Sequence, residues 1–143
     1  MEIIKLTDKN YLELSEIDKS AFKNYWTADE FLLELKSDFR EYYGVLDNSK
    51  LVAYVGLNVV LDECDIMRIA VLKSEQNKGI AKKLLHFVCD CLKQRNINKI
   101  MLEVSDINTP AINLYKSVGC KQIYIREKYY EDNSNALIFS LKL

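Results

Sequence analysis

The 143 residues suit one ordinary domain and are too few for two. Twenty Lys and Arg stand against 21 Asp and Glu, a formal charge of −1, which argues against a dedicated nucleic-acid binder with its basic surplus. Hydrophobic residues make up 49%, enough for a core, yet no apolar run approaches the roughly 20 residues of a membrane-spanning helix. The start, with Glu2, Lys5, Asp8 and Lys9 around a short apolar patch, does not read as a signal peptide, so the expected address is the cytoplasm.

In chain order, Ile3 to Leu6 reads as a strand, and Asn10 to Phe22 as a helix with Leu14, Ile17, Ala21 and Phe22 near helical spacing. Thr27-Ala28-Asp29-Glu30 is a capping box that opens a second helix, with Phe31, Leu32 and Leu35 as its apolar face. Tyr42 to Leu46 and Leu51 to Val60 are strands joined by the turn Asp47-Asn48-Ser49-Lys50, and Asp65 to Leu72 is another. From Gly79 the period changes: Leu84, Leu85, Val88, Cys91 and Leu92 share a face, while Lys82, Lys83, His86, Asp90 and Lys93 take the other. His86 therefore reads as solvated.

Lys99 to Val104 is a nearly continuous apolar strand. Thr109-Pro110 opens a helix that Gly119 ends. Gln122 to Tyr130 and Ala136 to Leu143 are the last strands, joined by Glu131 to Asn135. The order β-α-α-β-β-β-α-β-α-β-β predicts one α/β domain over residues 1–143, a mixed sheet with helices on both faces. Cys64, Cys89, Cys91 and Cys120 form no C-x-x-C pair. With a single histidine, no metal site is expected, and the thiols read as reduced and mostly buried.

Ile66 to Val71 leads through a polar loop to Gln76-Asn77-Lys78-Gly79-Ile80-Ala81 and then a strong helix. Strand, turn and helix offer bare backbone N–H groups and a positive helix end to a phosphate, with Lys78, Lys82 and Lys83 adding charge. An ordinary left-handed turn before a surface helix explains the same residues. The pattern Gln-x-x-Gly-x-Ala in this setting resembles the acetyl-CoA motif of the GNAT superfamily of N-acetyltransferases. The resemblance implies that Ile69, Ala70 and Val71 hydrogen-bond the pantetheine arm. It also implies that Gln76, Asn77, Lys78, Gly79, Ile80, Ala81 and Lys82 hold the pyrophosphate.

Glu103 stands inside the apolar strand Met101-Leu102-Glu103-Val104, where alternation puts it on one face with Met101 and Ser105. A carboxylate so placed has a partner, reaches water or does chemistry. Tyr115 alone reads more readily as a core tyrosine, and Asn108 as a loop or capping residue. Together, Ile69-Ala70-Val71, Leu102-Glu103-Val104, Asn108, Leu114-Tyr115, Val118-Gly119 and Arg126-x-x-Tyr129-Tyr130 resemble the ribosomal-protein alanine N-acetyltransferase (RimI) branch of that superfamily. Trp26 and Val59-Val60-Leu61-Asp62-Glu63 match it too, so the likeness runs from about residue 26 to the end.

That branch implies Glu103 as proton acceptor, Tyr115 as proton donor and Asn108 as a contact to acetyl-CoA. Trp26, Tyr129 and Tyr130 are the implied acceptor-groove residues. The implied acceptor is a protein N-terminus, the alanine of a small-subunit ribosomal protein on which relatives act. An amine attacks only when neutral, so a carboxylate acting through water suits the incoming amine, and a phenol suits the departing thiolate. Two departures stand out. Cys120 replaces the usual aromatic after the glycine, and Ser134-Asn135-Ala136 stands where relatives carry an acidic pair, which bears on acceptor identity. A small amine or lysine side chain as acceptor, and a non-catalytic CoA-binding module, are the competing readings.

Overall fold

The computed structural model describes residues 1–143, and its elements follow the expected order. The strands are β1 (Glu2–Lys5), β2 (Arg40–Asp47), β3 (Lys50–Val60), β4 (Glu63–Val71), β5 (Lys99–Ser105), β6 (Lys121–Arg126) and β7 (Ala136–Lys142). The helices are α1 (Tyr11–Ala21), α2 (Ala28–Lys36), α3 (Ile80–Gln94) and α4 (Thr109–Ser117). One sheet runs β1-β2-β3-β4-β5-β7-β6. Every neighbouring pair is antiparallel except β4 and β5, which are parallel with α3 as the crossover.

Local chemistry sets the element ends. The Thr27 hydroxyl accepts from Glu30 N at 3.2 Å while Glu30 Oε1 accepts from Thr27 N at 3.3 Å, so both halves of the capping box close. The β2–β3 hairpin turns on Asn48 and Ser49, both at positive φ, as a two-residue turn of matching twist requires. No helix is long and apolar enough to cross a membrane.

The two faces of the sheet carry separate cores, and alternation along β3 feeds both. Ala53 and Val55 join α3 and α4 in the larger core, whereas Tyr54 joins α1 and α2 in the smaller one with Tyr42 and Phe31. On α3, Cys89 is buried as expected, whereas Cys91, expected on the apolar face, is only half-buried. Cys89 lies four residues after Leu85 and three before Leu92, which puts it on their face. Strand β6 is exposed along its length at the sheet edge and stops at Arg126 rather than running to Tyr130. Lys128 then takes a positive φ, which extended pairing does not permit, so Tyr129 and Tyr130 belong to the β6–β7 loop.

Candidate active site

The parallel ladder between β4 and β5 is only three rungs long and ends at Ile66 opposite Leu102. Both strands continue, β4 to Val71 and β5 to Ser105. The cause is visible on the other side of β4, where the register with β3 jumps from Gly56↔Arg68 to Leu57↔Ile66. Met67 is thus the extra residue of a β-bulge, which bends and twists β4 away from its neighbour. The strands splay around a cleft of about 630 Å³.

One wall of the cleft is the edge of β4, including Ile69, Ala70 and Val71. Gln76 Nε2 donates to the Val71 carbonyl at 3.1 Å and pins the following loop to the strand end. Asn77 and Gly79 take left-handed conformations, φ 65° and 77°. With the chain turned this way, the six successive amides from Asn77 to Lys82 find no acceptor in the protein, and the first donation back into the helix is from Lys83 N to Gly79 O. No acidic residue occupies the first turn of α3. The loop therefore presents a concave row of donors at a positive helix end, a fit for a phosphate group. A Cβ on Gly79 would meet nothing within 4 Å, so the glycine serves the backbone angle and leaves the space above the amides open. Lys82 lies at the rim, whereas Lys78 is not in the lining and pairs with Glu75 at 2.8 Å.

On the opposite wall stand Glu103, Asn108 and Tyr115. Asn108, not Thr109, caps α4: its side-chain oxygen accepts from Ala111 N at 3.3 Å. Tyr115 is buried, and burial, with the neighbouring Cys120 adding to it, raises its phenol above the ordinary range. The hydroxyl has no partner in the chain, yet every unexposed side-chain oxygen is bonded, so it opens on the cleft. Glu103 and Tyr115 share the cavity without touching each other. The partner of Glu103 is Tyr130, whose hydroxyl donates to Oε1 at 3.2 Å, with Arg126 Nη1 at 3.9 Å from Oε2. Burial first, then the Glu103 charge, push the Tyr130 phenol up to about 12.

The loop carrying Tyr130 is stapled to β5. Ser134 Oγ pairs with Ser105 Oγ at 2.9 Å, and Tyr129 N and Tyr130 N donate to the Ser134 carbonyl. Asn135 donates from N and Nδ2 to the two oxygens of Asp106, at 3.2 and 3.0 Å, and accepts from Lys128 N. Ser134 and Asn135 thus close this loop onto the strand end.

Trp26 and Tyr129 lie outside the lining of the cleft. The Trp26 ring packs on Phe31 and stacks on the guanidinium of Arg68, 4.6 Å from its centroid, while Phe22 stacks on the same group at 4.4 Å. Tyr129 is exposed and meets Tyr130 edge-on.

The sequence reading missed Arg68, Asp18, Phe22 and Met67. Asp18 is fully buried and takes both arms of Arg68, Nε at 3.0 Å and Nη2 at 2.7 Å, together with Trp26 N at 2.8 Å and the Tyr54 hydroxyl. A signal was present: Asp18 sits at helical spacing among Leu14, Ile17 and Ala21, and Arg68 interrupts an apolar strand. Two charges misplaced on apolar faces suggest each other as partners.

Residues 11–120 match the acetyltransferase (GNAT) family. The chain is 33% identical over 143 residues to the [ribosomal protein bS18]-alanine N-acetyltransferase of Haemophilus ducreyi, covering 96% of this chain and 97% of that one. It is 34% identical over 104 residues to the Escherichia coli K12 protein of the same name, covering 71% and 70%. The crystal structure of the ribosomal-protein-S18-alanine N-acetyltransferase from Escherichia coli superposes with a TM-score of 0.92 at 29% identity, covering 99% of this chain and 92% of that one.

Proposed function

Because the chain belongs to the acetyltransferase (GNAT) family, we propose that it transfers an acetyl group from acetyl-CoA to the N-terminal α-amine of a ribosomal protein whose first residue is alanine. The carrying observation is the cleft itself. It is a forked sheet in which the row of free amides from Asn77 to Lys82 and the side chains of Glu103 and Tyr115 open on one cavity. The proposed place of action is the cytoplasm, and residues 1–143 act as one acetyltransferase domain.

Acetyl-CoA, when bound, supplies the acetyl group. The amides from Asn77 to Lys82 hold its pyrophosphate, helped by the positive end of α3 and by Lys82. Ile69, Ala70 and Val71, on the strand edge that β5 leaves unpaired, hold the pantetheine arm as an added strand would be held. Gln76 fixes the loop, and Asn108, whose oxygen is spent on the cap, lines the cleft with an amide nitrogen free to donate.

Glu103 takes the proton of the incoming ammonium, directly or through water. A free α-amine has a pKa of roughly 8, so a modest base suffices for it, whereas a lysine amine near 10.4 asks for more. Tyr115 gives its proton to the departing sulfur. A phenol is already protonated at neutral pH, the state an acid requires, and burial keeps it so. Tyr130 holds the Glu103 carboxylate and closes the acceptor side.

The reading is tested by offering acetyl-CoA with three acceptors: an alanine-first peptide, its N-terminally blocked twin with an internal lysine, and a polyamine. Mass spectrometry is expected to find the label on the α-amine of the first. Label mainly on the lysine or the polyamine overturns the acceptor assignment.

A further inference from the structure

Arg68 and Glu103 flank the apex of the fork. Arg68 is two residues beyond the last rung on β4, and Glu103 is one residue beyond it on β5. They also share a face. Arg68 reaches Asp18 on α1, and Glu103 points away from Leu102 and Val104, which belong to the α3–α4 core. The guanidinium is immobilised: it lies over the rings of Phe22 and Trp26, Nε and Nη2 bond the buried Asp18, and Nη2 also donates to the Asn24 carbonyl at 3.3 Å. Nη1 has no partner in the chain. Every unexposed side-chain nitrogen is bonded, so Nη1 is reachable from solvent, and Arg68 lines the cleft.

We propose that Arg68 is a substrate-binding residue that donates from Nη1 to the first main-chain carbonyl of the acceptor, the oxygen two bonds past the carbon bearing the α-amine. The inference rests on the acceptor reading above and gives it a physical basis. A guanidinium already immobilised loses little freedom on binding, and a charged donor makes the stronger kind of hydrogen bond. An α-amine near Glu103 has a carbonyl oxygen at fixed reach. A lysine ε-amine or a polyamine has none there, and a polyamine brings further positive charge toward Arg68.

The test compares kcat/KM for an alanine-first peptide with that for an isostere in which CH=CH replaces the first peptide bond, removing the carbonyl oxygen. Two proteins are set beside the wild type: Arg68→Lys, which keeps a charge for Asp18, and the paired Asp18→Asn/Arg68→Met, which leaves no buried charge unpartnered. The wild type is expected to favour the peptide by about 10- to 100-fold, the range for one charge-assisted hydrogen bond. In both variants that ratio is expected to fall at least tenfold. General damage to the fold lowers both rates together and leaves the ratio intact, so a ratio preserved in both variants overturns the role of Arg68 alone. A wild type that acetylates the isostere, which keeps its amine, as fast as the peptide also overturns this inference, whereas a wild type that labels the amine of neither overturns the α-amine reading on which it rests.

Discussion

Gly79→Asp separates binding from folding at the proposed phosphate loop. A side chain there meets no protein atom within 4 Å, so the only cost to the fold is the left-handed φ of +77°. That strain is about 1 kcal/mol for a non-glycine residue, or about 3 °C of melting temperature for a chain this size. For the ligand the consequence is larger. A carboxylate about 4 Å from a bound phosphate is repelled by about 4 kcal/mol at an effective dielectric constant of 20, and exposure of the site reduces this to about 2–3 kcal/mol. Affinity for CoA then falls about 100-fold. At a CoA concentration 100 times the wild-type Kd, stabilisation drops from about 2.7 kcal/mol to about 0.4 kcal/mol. Thermal melts with and without CoA read this directly, with Gly79→Ala as the control that carries the strain without the charge. A CoA-induced shift in the Asp variant equal to that of the wild type would refute the placement of the pyrophosphate. An apo protein unfolded by Gly79→Ala would refute the view that the position is free of packing.

Glu103→Gln and Tyr115→Phe are each expected to lower kcat about 100-fold in single-turnover acetylation while leaving the CoA-induced melting shift in place. Near-normal rates in both, with chemistry limiting, would remove them from the acid–base roles. Glu41 donates a pH dependence to stability: its hydrogen bonds from Arg95, at 2.6 and 2.9 Å, hold the carboxyl below its ordinary 4.5. Its folded-state pKa is depressed, so the stabilisation is present above 4.5 and is lost as pH falls through the folded value. Glu41→Gln is therefore expected to melt lower than wild type at pH 7, by about 2–3 °C for a partly exposed pair of about 1 kcal/mol, and the gap is expected to close in acid. Asn135→Asp sets like charges against Asp106 and is expected to raise KM for the acceptor severalfold, and adding Asp106→Asn is expected to restore it. A double variant no better than the single one would dismiss the staple.

Much of the local structure around the proposed donor side was legible because its information is local. The capping box at Thr27 and Glu30 and the period of α3 depend on residues within a few positions of one another, and so does the left-handed glycine before the helix. Glu103 announced itself by being a carboxylate in an apolar strand. Boundaries failed where side chains from elsewhere intervene. Asn135 captures Lys128 N, and the chain leaves β6 at Arg126 instead of carrying Tyr129 and Tyr130 into a strand.

Composition and periodicity by themselves determined the α/β class and the element order, since hydrogen bonding along the chain and the burial of one face per element leave few alternatives. Tertiary structure alone decided the fork of the sheet and the side-chain pairings around it. The bulge at Met67 that ends the β4–β5 ladder exists only in the register of three strands. Trp26 turned out to pack on Arg68 rather than line the cleft, and Tyr130 bonds Glu103. These pairings join residues 27 to 50 positions apart, Glu103 to Tyr130 and Asp18 to Arg68. No periodicity reports them, because which charge meets which is settled only when the sheet brings distant segments into one low-dielectric space, where each buried charge must find a partner.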